Sequence, residues 1–169
     1  MKKTIVHFGI YAFLCAFLLF MAALYFGQGL DFSIQEVLGY LTILTSLLFI
    51  FFAIKHLREK ENHGLISFKK AFLIGISISV FAGIGFAIAD TIYVTVINPD
   101  FAEQYLAYSL EKLKAELPAA TYEVERKKLL EQIEQYKNPA FNATVMFMTV
   151  FLIGFIITLI SALILQRKN

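Results

Sequence analysis

One acidic residue inside an apolar segment is the clearest candidate for chemistry in this chain. Asp90 lies in residues 71–97, which contain no other charged side chain. Acidic side chains within membrane segments are costly and often mark ion or substrate paths. A helix needs about 20 residues to cross a bilayer core. If the third span begins at Ala71, the twentieth residue is Asp90 itself. Three interpretations follow: a position in the headgroup zone, a structural hydrogen bond to a neighbouring helix, or a role in transport.

The remaining reactive residue types form no recognisable site. His7 is isolated, and His56 and His63 lie seven residues apart in a charged segment without a clustered carboxylate or cysteine, whereas zinc sites require several such ligands. Cys15, the single cysteine, lies in an apolar run, where a buried or lipid-facing thiol is expected. Asn142 begins a glycosylation sequon, a pattern that is common by chance. We therefore predict no catalytic residue, no metal and no cofactor, and a protein that is not an enzyme.

The composition indicates a protein surrounded by lipid. Hydrophobic residues make up 59% of the chain and charged residues 17%, compared with about 45–50% and about 25% in soluble domains. Four stretches have roughly the 20 apolar residues that a membrane-spanning helix needs, namely 4–26, 37–54, 71–97 and 143–165. Lipid forces such segments to satisfy their backbone hydrogen bonds internally, as helices do. We predict an all-α fold, an integral membrane four-helix bundle that forms a single domain over residues 1–169.

The basic residues predict the direction of the four spans. Nine Lys and Arg residues flank one side with two acidic residues, a sum of +7, whereas the large loop 98–140 has six basic and eight acidic residues. Because basic flanks favour the cytoplasm, we predict the inner (cytoplasmic) membrane with both termini cytoplasmic. Tyr25, Tyr40 and Tyr93 would then lie at the outer membrane surface. The nine basic residues are Lys2, Lys3, Lys55, Arg58, Lys60, Lys69, Lys70, Arg167 and Lys168.

Small residues recur every four positions along the third span. Such a strip lets another helix approach closely and gain dispersion contacts. Both packing inside the bundle and a seam between two copies of the chain are open interpretations. The candidate helix-packing residues are Ala71, Gly75, Ser79, Gly83, Ala87 and Thr91.

The loop between the third and fourth spans predicts an extracytoplasmic helical hairpin over residues 98–140. Asn98 is expected to cap the first helix, with Asp100 in its first turn. Pro118 breaks that helix, and Thr121 is expected to cap the second one. The apolar stripes of the two helices could pack together, lie on the membrane or dock a partner. The first stripe consists of Leu106, Leu110, Leu113 and Leu117, and the second of Tyr122, Leu129, Ile133 and Tyr136.

Two short segments carry a resemblance to a bacterial family. They are 64–72 (Gly-Leu-Ile-Ser-Phe-Lys-Lys-Ala-Phe), followed by Gly75, and 97–101 (Ile-Asn-Pro-Asp-Phe). The chain resembles the domain of unknown function 4199 family, found mainly in Bacteroidota. The resemblance covers nearly the whole chain and implies a cytoplasmic-membrane protein with four spans and an outer helical insertion. It implies no activity and no functional residues.

Two functional hypotheses follow. The first is a non-enzymatic accessory or scaffold protein that acts through its outer hairpin, because the hairpin is the largest polar surface. Its partner would be a second copy of the chain or another membrane or envelope protein. The alternative is a small oligomeric transporter or channel subunit that uses the third span and Asp90. The small net charge of +2 and the absence of interleaved aromatic residues argue against nucleic acid as a partner.

Overall fold

A computed structural model describes residues 1–167, apart from the side chain of Ala120, and contains six α-helices within them. Lys168, one of the basic residues predicted to share one side, lies outside the described residues. The helices are α1 (Lys2–Phe26), α2 (Phe32–His56), α3 (Phe68–Ile92), α4 (Phe101–Glu116), α5 (Ala119–Tyr136) and α6 (Pro139–Leu165). A π-helical turn extends α2 through Leu57–Glu61 and another extends α3 through Tyr93–Ile97. By length and hydropathy, α1, α2, α3 and α6 can each cross a membrane. The predicted all-α fold with four apolar spans is confirmed.

Helix α3 is the centre of the bundle. It packs against α1, α2 and α6, and it is buried at intervals along its whole length, from Ala71 to Asp90. Small residues make these contacts close: a Cβ atom on Gly85 would lie 2.7 Å from the backbone oxygen of Phe13 in α1. Close approach of this kind stabilises helices in lipid through dispersion contacts.

Helices α2 and α6 are packed into the bundle at one end only. The buried residues of α2 lie between Ile43 and Ile54, and those of α6 lie between Val150 and Leu165. We call this region, where α1 begins and α6 finishes, the closed end. Towards the opposite end, the hairpin end, neither helix has a fully buried residue. Space is therefore left between α2 and α6 at the hairpin end.

Loop contacts tie the helices together at the closed end. Ile66 and Arg167 exchange backbone hydrogen bonds of 3.0 and 2.9 Å. Nη1 of Arg58 donates to the backbone oxygen of Leu165 at 3.3 Å. The described basic residues that were predicted to share one side all lie near this end, because it holds the start of α1 and α3 and the finish of α2 and α6.

The α4–α5 hairpin folds back onto the bundle. Its helices pack against each other, as one of the three interpretations of the apolar stripes expected. Phe32 at the start of α2 attaches α4, with ring centroids 5.9 Å from Phe101, 5.7 Å from Tyr105 and 5.0 Å from Tyr108. The hairpin is thus held on the bundle by an aromatic cluster.

The helix starts in the hairpin differ from the predicted ones. Asp100 precedes α4 as its N-cap, because Asn98 uses its side chain to bond Gln104 at 3.1 Å. Pro118, not Thr121, precedes α5, since the fixed φ of proline suits the beginning of a helix.

The three tyrosines that were expected at the membrane surface differ in their exposure. Tyr25 and Tyr40 are about half exposed, at 59% and 49%, whereas Tyr93 is buried beneath the hairpin at 1%. Its ring lies 5.6 Å from that of Phe101. The hairpin therefore covers a residue that the sequence pattern assigns to the lipid interface.

Candidate functional site

The strip of small residues on α3 faces α6 of the same chain. A Cβ atom on Gly75 would lie 2.4 Å from Cγ2 of Thr158, and one on Gly154 would lie 2.4 Å from Oγ of Ser79. A Cβ atom on Gly83 would lie 2.8 Å from the ring of Phe147. Within the strip, Ala71 is also buried, and Ala87 and Thr91 are half-buried. The middle of the strip thus serves the α3–α6 contact.

Asp90 pairs with a residue of α6 that is distant in the sequence. The residue is 7% exposed, and its Oδ2 accepts a hydrogen bond of 2.6 Å from Nδ2 of Asn142. The structure therefore places Asp90 in a hydrogen bond to a neighbouring helix, one of the three interpretations drawn from the sequence. Asn142, which had signalled only a sequon, is the residue that provides the partner.

The Asp90–Asn142 pair lies near the level where the hydrocarbon core is expected to stop. From Phe68, the first residue of α3, to Asp90 the helix rises about 33 Å at about 1.5 Å per residue, compared with a core of about 30 Å. Asn142 lies in the first turn of α6, which begins at Pro139. The pair therefore lies close to the membrane boundary at the hairpin end, with Asp90 buried and Asn142 half-buried.

A cavity of ≈ 640 Å³ opens next to this pair, and we call it the hairpin cavity. Its volume falls within the range of about 300–1,000 Å³ that is typical of small-molecule sites. The walls come from the hairpin-end parts of α1, α2, α3 and α6, and α4 and α5 form its roof. The cavity occupies the space that the separation of α2 and α6 leaves.

The polar residues that line the hairpin cavity are concentrated near its roof. On α2, Glu36 lies near the roof and Ile43 lies seven residues further on, about 10 Å deeper at the helical rise. On α6, Asn142 and Val145 follow the same order from the roof inwards. The polar and charged residues of the upper part include Gln35, Glu36, Asp90, Glu103, Gln132, Lys137 and Asn142, beside apolar roof residues such as Phe101, Leu129 and Ile133. The part below is mainly apolar, with Phe20, Ile43, Val145 and Met146 beside Thr149.

The charges that line the cavity are mainly acidic. Lys137 is held by Glu103 and Glu134, with Nζ–Oε distances of 3.8 and 3.4 Å. Glu36 and Asp90 form no ion pair with any described residue. The upper part of the cavity therefore presents two carboxyl groups that lack a cationic partner within residues 1–167.

The other reactive residue types lie away from this cavity. His7 contacts Tyr11, with ring centroids 4.5 Å apart, and His56 contacts Phe8 at 5.4 Å. Cys15 is half-buried in α1. In the part of the chain that the structure describes, no three His, Cys, Asp or Glu side chains are grouped so that they could hold a metal ion.

Sequence reasoning missed Glu36 and Asn142 as members of a site. Each is a polar residue next to the beginning of an apolar stretch, where solvent exposure is the ordinary expectation. Only the contact between distant helices brings them to one cavity. The sequence feature that could have identified them is that both lie next to the ends of apolar spans on the side of the hairpin.

Comparisons with known proteins agree with the fold. Neither the comparison with curated proteins nor that with solved structures finds a match. A family model described as "Protein of unknown function (DUF4199)" matches residues 7–167, nearly the whole chain. The match over this length and the four apolar helices confirm the family and the four spans that the resemblance implied, and the chain belongs to the DUF4199 family.

Proposed function

We propose that this protein is a non-catalytic membrane protein that holds an amphipathic membrane molecule in the hairpin cavity. The observation that carries the proposal is the change of the lining from Glu36, Asp90 and Asn142 near the roof to Ile43 and Met146 below. This order matches a lipid of the leaflet at the hairpin end, whose headgroup lies at the boundary and whose chains point to the bilayer centre.

The separation of α2 and α6 supports a lateral path from the bilayer. Between them, Gly39 and Tyr40 of α2 and Thr149 of α6 line the cavity, and none of the three is fully buried. An apolar chain can pass such a gap without entering water, so its transfer costs little hydrophobic free energy.

The sidedness is part of the proposal. We place the closed end in the cytoplasm and the hairpin outside the inner (cytoplasmic) membrane of a bacterial cell. Support comes from the basic residues near the closed end and from the nearly balanced charges of residues 98–140, since basic flanks favour the cytoplasmic side. The cavity would then accept a lipid of the outer leaflet.

An accessory role through the hairpin is compatible with this site. The hairpin carries both acidic and basic exposed residues, including Glu123, Arg126 and Lys128. Reversing these three charges leaves the cavity intact. We expect the reversal to remove proteins that crosslink to the hairpin in cells, and an unchanged crosslinking pattern would reject the accessory role.

The transporter alternative rests on the position of Asp90 in the cavity wall. Below the cavity, Leu47, Ile50 and Val150 are fully buried, so a path across the bilayer would require α2 and α6 to separate at the closed end. Asp90→Asn should abolish flux in reconstituted vesicles if this alternative holds. Wild-type vesicles without flux of any tested solute would count against it.

Filling the cavity tests the proposed binding directly. A Cβ atom on Gly39 would meet only Cε2 of Phe20, at 3.8 Å, so Gly39→Phe adds a ring to the cavity without a backbone clash. We expect this variant, purified from membranes in mild detergent, to retain several-fold less lipid by native mass spectrometry than the wild type. Leu41→Phe, on an exposed face of α2, is the matched control. Equal retention by the wild type and both variants would refute binding in the cavity.

A further inference from the structure

We propose that the ligand of the hairpin cavity is a lipid whose headgroup carries an ammonium group, bound between Asp90 and Glu36. This inference rests on the proposed function, because it names the chemistry of the molecule that the cavity holds. Three observations carry it: an unpartnered carboxylate oxygen, a second unpaired acid on the facing helix, and a lysine at the rim.

Asp90 provides the first observation. Asp90 is a buried residue, and only Oδ2 of its carboxylate has a hydrogen-bond partner, the amide of Asn142. Oδ1 bonds no described residue, and Asp90 lines the cavity. Oδ1 is not sealed inside the protein, so a molecule in the cavity can reach it, and a carboxylate bonds most strongly to a charged donor. The cavity therefore selects a molecule that brings an N–H donor to this oxygen.

Glu36 provides the second observation. It lies on α2, which forms a different wall from α3, and it forms no ion pair with a described residue. A cation between Glu36 and Asp90 would be attracted by both carboxylates. An anionic headgroup in the same place would be repelled by both.

Lys137 provides the third observation, at the junction of the hairpin and α6. It lines the cavity but is turned towards Glu103 and Glu134 at its rim. A headgroup with an ammonium at Asp90 can place a phosphate oxygen near this lysine, where a charge-assisted hydrogen bond is available. The arrangement of charges thus complements a zwitterionic aminophospholipid.

The aromatic lining agrees with a cationic nitrogen. Tyr40, Tyr105 and Tyr136 come from three different helices and all line the cavity. The faces of such rings attract ammonium groups.

A competition between two lipids tests the inference. The full-length protein is incorporated into nanodiscs with equal amounts of phosphatidylethanolamine and phosphatidylglycerol, each with the same acyl chains and a diazirine in one chain. Crosslinked lipids are then identified, and their positions are mapped by peptide mass spectrometry. We expect attachment near Ile43 or Met146 and at least tenfold enrichment of phosphatidylethanolamine.

Variants separate the headgroup chemistry from the binding itself. In Asp90→Asn the new amide oxygen can still accept the bond from Asn142, and Glu36→Gln changes a residue that is not buried. We expect each variant to reduce the enrichment, and the double variant to bring it below about twofold without loss of total crosslinking. Glu111→Gln, an exposed acid of α4 outside the cavity, should keep the wild-type preference.

The outcomes distinguish the two proposals. If the wild type crosslinks both lipids equally at Ile43 or Met146, the ammonium inference is wrong and the cavity remains a lipid site. If no lipid attaches to residues of the cavity, the proposed function itself is wrong. If Glu36→Gln and the double variant keep the full enrichment, the preference does not arise from these carboxylates and the inference is overturned.

Discussion

Asn142 donates a 2.6 Å side-chain hydrogen bond to Asp90, which joins α6 to α3 at the hairpin end of the bundle. At the opposite part of the same helix pair, Gly75 and Thr158 are in such close contact that a Cβ atom on the glycine would not fit. The two contacts differ in chemistry. One relies on a polar pair, and the other relies on the absence of a side chain, yet together they align α3 and α6 over most of their length.

Loss of the polar pair should destabilise the fold. Asn142→Ala removes the only donor that reaches Asp90 within the described residues, and leaving a buried carboxyl group without its partner costs about 1–3 kcal/mol. We expect a lower thermal midpoint in detergent for this variant. Thr144→Ala, which removes only a bond to the helix's own backbone, is the control. An Asn142→Ala midpoint equal to that of the control would contradict the structural role of the pair.

The close contact between Gly75 and Thr158 leads to a second prediction about stability. Gly75→Ala places a methyl group 2.4 Å from Cγ2 of Thr158, and overpacking of this kind typically costs about 1–3 kcal/mol. Adding Thr158→Ala removes the two nearest opposing atoms and leaves Cβ at 2.9 Å, so we expect the double variant to recover part of the lost stability. The measurement is a double-mutant cycle on the free energy of unfolding in detergent.

Gly39→Ala is the matched control for that cycle. Its Cβ atom would make only an ordinary contact of 3.8 Å with Phe20. Because alanine also favours the helix by roughly 0.5–1 kcal/mol over glycine, this variant should be neutral or stabilising. If Gly75→Ala behaves in the same way, close packing is not what the glycine provides.

The cap of α2 predicts a dependence on pH. Asp31 accepts a bond from the backbone nitrogen of Ser33 at 2.8 Å and from its hydroxyl at 2.6 Å. The Ser33 side-chain bond is the largest of the effects that hold the pKa of Asp31 below its ordinary value of 3.8. A carboxyl group with a lowered pKa stabilises the folded state above its unfolded pKa. Its contribution is lost as the pH falls below 3.8 through the folded value.

Asp31→Ala should therefore lower the thermal midpoint at neutral pH, and the difference from the wild type should shrink in acid. Asp100→Ala is the control, because Asp100 precedes α4 without a side-chain bond to the helix. An equal effect of the two substitutions at neutral pH would argue against a capping role for Asp31.

Cysteine labelling tests the proposed sidedness. After Cys15→Ala, single cysteines are introduced by Lys60→Cys at the closed end and by Pro118→Cys at the tip of the hairpin. We expect an impermeant maleimide to label the second variant on intact cells and the first only after lysis. The reverse pattern would invert the orientation.

Local features of the sequence were sufficient for the helices. Uncharged stretches of membrane length predict four apolar spans, because lipid leaves the backbone no other way to satisfy its hydrogen bonds. The bounds were less accurate where the helix continues beyond the apolar residues. Helix α2 begins at Phe32, not at residue 37, because the cap from Asp31 lets it extend past Glu36. The shift from Asn98 to Asp100 at α4 has a similar cause, a side-chain contact that a local pattern does not reveal.

The sequence by itself determined the all-α class, the four spans and the cluster of basic residues near one end, because each depends on residues close together in the chain. Tertiary structure alone decided that Asp90 meets Asn142, that Tyr93 is buried, and that α2 and α6 separate beneath the hairpin. The physical reason is that these features arise where distant helices meet. Close packing at the closed end leaves a gap at the hairpin end, and only that geometry turns isolated polar residues into one site.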